Sequence, residues 1–287
     1  MNKKIFWFVV ALLVVALALI GYWLLFADRN EAELDARWAG SVETSDQIVD
    51  HSLWQTILDD YLVTDTDSGV NLFDYAGLLD DGRESLDRYI NDLSSIDPLL
   101  LSRVEQKPYW INLYNAVTVA LILDNYPLAS ITEIKGKVGS FGPWDNDSVA
   151  VNNIALSLND IEHRIIRPLF NDYRIHFAVN CASIGCPSLS ADVFTSANTD
   201  QLLDAAAAAF VNHPRGVNFS DSRLQLSSLF DWYANDFGAN HTQLLQTLSQ
   251  HAKAETSRAL KQYTGSTDYR YDWSLNGYCS VEDECGL

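Results

Sequence analysis

The chain has 287 residues, 38 acidic against 19 basic side chains, a net charge of −19 and 48% hydrophobic residues. That much apolar content excludes wholesale disorder, and the acidity argues against a nucleic-acid partner, because binding a phosphate backbone relies on clustered Lys and Arg. Composition alone therefore describes an acidic globular protein and names no activity.

Lys3 and Lys4 precede an uncharged run from Ile5 to Ala27, which Asp28 and Arg29 end. As a helix rising about 1.5 Å per residue, the run is long enough to cross a hydrocarbon core of about 30 Å. Residues 1–27 are expected to form a transmembrane anchor, a signal-anchor with its lysines in the cytoplasm and the rest of the chain in the periplasm or outside the cell. The other reading is a cleaved signal peptide, but the sole Ala-x-Ala near the N-terminus, Ala16 to Ala18, lies inside the apolar run and not after it. Residues 28–47, with DRNEAELDAR, are polar and read as a tether. Apolar periodicity is then nearly continuous from 48 to 263, with no linker composition, which predicts one main domain. Residues 264–287 form a tail carrying Cys279 and Cys285, a close pair expected to be a disulfide in an oxidising compartment.

Within the main domain HSLWQTILDDYL and Ser85 to Leu93 have helical spacing, and PYWINLYNAVTVALILDNY, from Pro108 to Tyr126, predicts a helix apolar around most of its circumference. SVAVNNIALSL predicts a hairpin turning at Asn152-Asn153. Ser157 with Asp160 is a variant capping box for the helix NDIEHRIIRPLF, which Pro168 is expected to end. RIHFAVN, from Arg174 to Asn180, reads as a strand entering the loop CASIGCPSL. TDQLLDAAAAAFVNH has helix composition, and GVNFSDSRLQLS predicts a second hairpin. Helices around a few strands predict an α+β fold with a small, mainly antiparallel sheet.

The most unusual local sequence is HFAVNCASIGCPSL. Cys181 falls where strand gives way to loop, a position from which a thiol held by the scaffold can meet a substrate, and the amides of Ser183 and Gly185 could face a developing oxyanion. The alternative is a Cys181–Cys186 disulfide across the loop. A nucleophilic cysteine needs a base, and His163, beside Glu162 as orienting carboxylate, is preferred to His176, whose odd separation from Cys181 on a strand would aim it at the opposite face. Asn112 and Asn115, beside Trp110 and Tyr114 on the apolar helix, must be hydrogen-bonded if buried and so suggest a polar pocket. No phosphate loop, HExxH or zinc-ribbon spacing occurs, so neither a metal nor a cofactor is expected.

PYWINLYNAVTVALIL, LSLNDIEHRIIRP and RIHFAVNCASIGCPSL, in this order, resemble the domain of unknown function 547 family, over roughly Asp50 to Phe237. The family occurs in bacterial envelope proteins and in plant proteins, and with its anchor this chain looks like an envelope-anchored bacterial member. The resemblance picks out Trp110, Asn112, Tyr114, Asn115, Glu162, His163, His176, Asn180, Cys181 and Cys186, an arrangement similar to papain-like or transglutaminase-like thiol enzymes. The family itself carries no established activity; the residues around Cys181 lead to the expectation of a cysteine-dependent hydrolase or transferase acting on an amide or a thiol-containing small peptide. The alternative is a non-catalytic module that binds a peptide or glycan and is stapled by a structural disulfide; a third class is thiol–disulfide exchange, for which CxxxxC suits less well than CxxC.

Overall fold

The computed structural model describes residues 32–220 and 223–278. The anchor segment and the Cys279, Cys285 pair lie outside the described residues. The chain divides after Ala32, and all elements below belong to the unit that follows. Among the described residues no helix is long and apolar enough to cross a membrane.

The fold is α+β. Its centre is the helix Arg103–Leu123, which starts earlier than its sequence pattern suggests and carries Pro108 inside it. Every residue from Pro108 to Val119 is buried, so the helix is a core element enclosed on all sides and not an amphipathic one. Helix Arg83–Ser94 packs beside it, helix Ser52–Tyr61 packs against Arg83–Ser94, and the Trp110 ring meets Trp38 edge-on at 5.2 Å. Trp38 is buried, so the described part of the expected tether, though mostly exposed, is a strap pinned to the core at that residue.

Strands β1 (Leu62–Val63) and β2 (Leu72–Phe73) form one antiparallel pair, and β3 (Asp147–Val151) and β4 (Ile154–Ser157) form a hairpin. Asn152 and Asn153 both take positive φ, 50° and 61°, which is the conformation a two-residue turn of the favoured hand requires. A second hairpin, β5 (Val217–Ser220) and β6 (Arg223–Ser227), is extended by β7 (Thr267–Arg270) parallel to β6. Packing therefore continues past residue 263: beyond β7, the Leu275 amide donates to the Ala129 carbonyl and the Asn276 amide to that of Ala182.

From Leu158 the chain runs helically to Phe170, started by the complete Ser157/Asp160 capping box. Pro168 does not end this helix, which stops at Asn171 with φ of 46°. The helix instead widens to a π-turn over Glu162–Ile166. The Arg167 amide bonds back to Glu162, which frees the His163 carbonyl, and Pro168 has no N–H to offer Arg164. The strap satisfies both acceptors, with Glu33 N–H donating to His163 at 3.2 Å and Asp35 N–H to Arg164 at 3.0 Å.

The expected strand at 174–180 is a correction: Tyr173–Phe177 is a 3-10 helix. Asp172 caps it by accepting from the Arg174 amide, and Ile175, His176 and Phe177 are buried in succession where a strand would alternate. Asp172 also pairs with Lys107 at 2.5 Å and with the Arg174 guanidinium at 2.8 Å. Although burial disfavours its charge, bonds from Arg174 and Lys107 prevail and hold it at about 2. A carboxyl depressed below its unfolded value near 3.8 stabilises the fold above that value and loses the contribution as pH falls through about 2. Asp172→Asn should cost about 2 kcal/mol at pH 7 and almost nothing near pH 1, read from urea unfolding at both pH values. An equal loss at both would contradict the ion-pair origin.

Candidate functional site

Asn180 and Cys181 follow the 3-10 helix, and a short ladder of side-chain amides fixes their backbone. Asn115, from the central helix, donates to the Ala178 carbonyl at 2.9 Å and accepts from the Asn180 amide at 2.8 Å. Asn180 in turn accepts from the Ala182 amide and donates to the Pro187 carbonyl, both at 2.8 Å. This closes the loop over Cys181 and holds Ala182 at φ 57°, a left-handed conformation that a side chain bearing Cβ adopts only when its surroundings impose it. Asn112 does the same for a neighbouring loop, bonding both the carbonyl and the amide of Phe194. Trp110 is a packing residue.

Cys181 and Cys186 are free thiols. Cys186 is buried and its Sγ accepts the Cys181 amide at 3.1 Å. The half-buried Cys181 Sγ lies 2.9 Å from the Tyr271 hydroxyl and 3.3 Å from that of Ser183. Bonds from the Cys186 thiol, Ser183 and Tyr271 favour the Cys181 thiolate and lower its pKa, against burial and the negative charge of Glu162. Burial raises Cys186, which stays a thiol. Tyr271 is likewise kept protonated by burial, so it is a donor to the sulfur.

Of the loop amides expected to face an oxyanion, that of Gly185 is engaged elsewhere, donating to Asp272, as are its neighbours, Ile184 to Ser274 and Cys186 to Ser183. Gly185 runs so close to the 271–274 segment that a Cβ there would sit 2.7 Å from the Asp272 nitrogen. That approach brings Tyr271 onto Cys181.

Beside the thiol lies a buried charged cluster. Glu162 accepts from Tyr114 at 3.2 Å and from Tyr233. Burial opposes its ionisation, but His163, His176, Arg167 and the Tyr233 bond together hold its pKa below the usual carboxylate value. His163 takes the Arg167 Nη1–H on Nδ1 at 2.6 Å, and burial with the Arg167 charge lowers its pKa despite Glu162. Its proton is therefore on Nε2, and no lone pair is left to take another. His176 donates from Nε2 to Asp236 at 2.7 Å and its ring stacks on Tyr233 at 4.0 Å. Its Nδ1 faces Glu162 Oε1 at 3.6 Å, and neither atom has a hydrogen-bond partner among the described residues. Arg167 grips Asp236 through Nε at 2.7 Å and Nη2 at 3.0 Å.

The structure thus gathers Cys181, Cys186, Asn180, Asn115, Tyr114, Glu162, His163 and His176 into one region. Arg167, Tyr233, Asp236, Ser183 and Tyr271 complete it. Only Arg167 was within easy reach of sequence reasoning, since it lies four residues after His163 on one helix face. Among the described residues no group of three or more His, Cys, Asp or Glu is placed to hold a metal ion.

Residues 98–211 match a family model described as "Protein of unknown function, DUF547". The matched stretch runs from the central helix through the cysteine loop, whereas Tyr233, Asp236 and Tyr271 lie beyond it. No curated protein and no solved structure matches the chain.

Proposed function

We propose that the protein is a membrane-anchored envelope enzyme, a cysteine-dependent hydrolase or transferase acting on the amide of a small peptide, with Cys181 as nucleophile. The observation that carries this is the unbridged sulfur of the half-buried Cys181 with the Tyr271 and Ser183 hydroxyls beside it. In the reaction the thiolate adds to the amide carbonyl carbon, the C–N bond breaks and the amine leaves with a proton; water or a second amine then cleaves the thioester and restores the thiol. Of the two imidazoles beside Glu162, His176 is the one with an Nδ1 open to carry a proton, whereas Arg167 occupies that atom of His163, and this supports His176 as the base. Asp236 orients it. The sequence argument against His176 assumed a strand, and the 3-10 helix removes it.

Tyr271→Phe should slow iodoacetamide labelling of Cys181 at pH 7 about tenfold, the worth of one charge-assisted hydrogen bond. His176→Gln should shift the pH profile of labelling, and His163→Gln should leave it in place. A profile moved by His163→Gln alone would reverse the assignment. The competing reading, a peptide-binding module stapled by Cys181–Cys186, has in its favour the proximity of the two cysteines, and predicts no labelling before reduction.

A further inference from the structure

Tyr271 joins the thiol to a chain of aromatic rings that the proposed mechanism does not use. Its ring lies 4.7 Å from Trp232 and 4.6 Å from Trp273, and Trp232 stacks on Trp273 at 5.4 Å. Trp273 continues to Trp144 at 5.6 Å and to Phe141, also at 5.6 Å. Phe141 is 62% exposed, and Trp144, Trp232 and Trp273 are each partly open to solvent, so the rings form a surface strip ending at Cys181.

Two of the segments supplying rings carry an exposed aspartate next to a tryptophan, Asp231-Trp232 and Asp272-Trp273. Lys137, on the loop that holds Phe141, is paired with Asp147 at 2.9 Å. Asp272 also accepts the Ser274 amide on Oδ1 at 3.0 Å, which leaves its carboxylate charged; electron-rich ring faces on segments that carry exposed carboxylates attract a cation twice over, through the ring quadrupole and through charge. We infer that this strip is the substrate-binding surface for a peptide presenting a primary-amine side chain, which it guides to Cys181; the inference rests on the thiol reading for its direction but not for the binding itself.

The test uses the full chain carrying Cys181→Ser, so that binding is read without chemistry, and titrates acetyl-Ala-Lys-Ala-amide by calorimetry. The lysine peptide should bind, and acetylating its side-chain amine should weaken binding about tenfold, within the range of a cation–π contact reinforced by charge. Asp231→Asn with Asp272→Asn, which keeps side-chain shape, should weaken it and flatten its salt dependence; Trp273→Phe should weaken it less than Trp273→Leu. Equal binding of the acetylated peptide, no binding of either peptide, or binding of a chitin trisaccharide in their place would overturn the inference. Lysine-peptide binding by a chain whose Cys181 proves inert would uphold the strip and reject the enzyme; a reactive Cys181 with no peptide bound would do the reverse.

Discussion

Arg167→Met should destabilise the protein by about 3–5 kcal/mol, the usual cost of removing one partner from a buried ion pair. The Arg167 side chain is 3% exposed and bonds Asp236 with two nitrogens and His163 with a third, while its charge also helps to hold Glu162 ionised. Once it is gone, two carboxylates share a buried region with no permanent cation, and the Tyr233 ring loses the guanidinium that packs 4.9 Å from its centre. Removing the surface ion pairs of Arg83 by Arg83→Met should cost less than about 1 kcal/mol, because Asp87 and Asp124 are half exposed and already solvated. Urea midpoints of the two variants at pH 7 make the comparison. A loss at Arg167 no larger than that at Arg83 would mean that the cluster is not a cooperating unit.

Asn115→Ala should cost about 2–6 kcal/mol, since the buried Ala178 carbonyl and Asn180 amide would each lose a partner at about 1–3 kcal/mol apiece. The two bonds also have a functional consequence, because they fix the residues immediately before Cys181. Asn112→Ala removes a comparable pair of bonds, but those anchor Phe194. Both variants should therefore lose stability by a similar amount, and only Asn115→Ala should change the rate at which Cys181 is alkylated in the folded state. Equal alkylation rates in the two would show that the Asn115 ladder supports the fold alone.

What the sequence disclosed was local. The Asn152-Asn153 turn, the Ser157/Asp160 box and the burial of the central helix each depend on residues a few positions apart, and each is found where the pattern placed it. The 174–180 segment misled because RIHFAVN has strand composition, whereas Asp172 captures the Arg174 amide and starts a 3-10 turn. The tether failed for a different reason: a polar stretch holding one tryptophan looks solvated until the π-turn that needs its amides is known. Of the site, the cysteine, the histidines and the buried asparagines were legible as residue types out of place. Asp236 and Tyr271 were not, being 60 and 90 residues from their partners His176 and Cys181. Nothing in their own neighbourhoods marks them.

The proposed chemistry depends on the state of one sulfur, and alkylating the full chain without reductant, followed by peptide mapping, reads it directly. Cys181 should be modified well ahead of Cys186, with a pH midpoint below the ordinary thiol value of about 8.5. Recovery of Cys181 joined to Cys186, with both inert until reduced, would contradict the nucleophile and leave a stapled binding module.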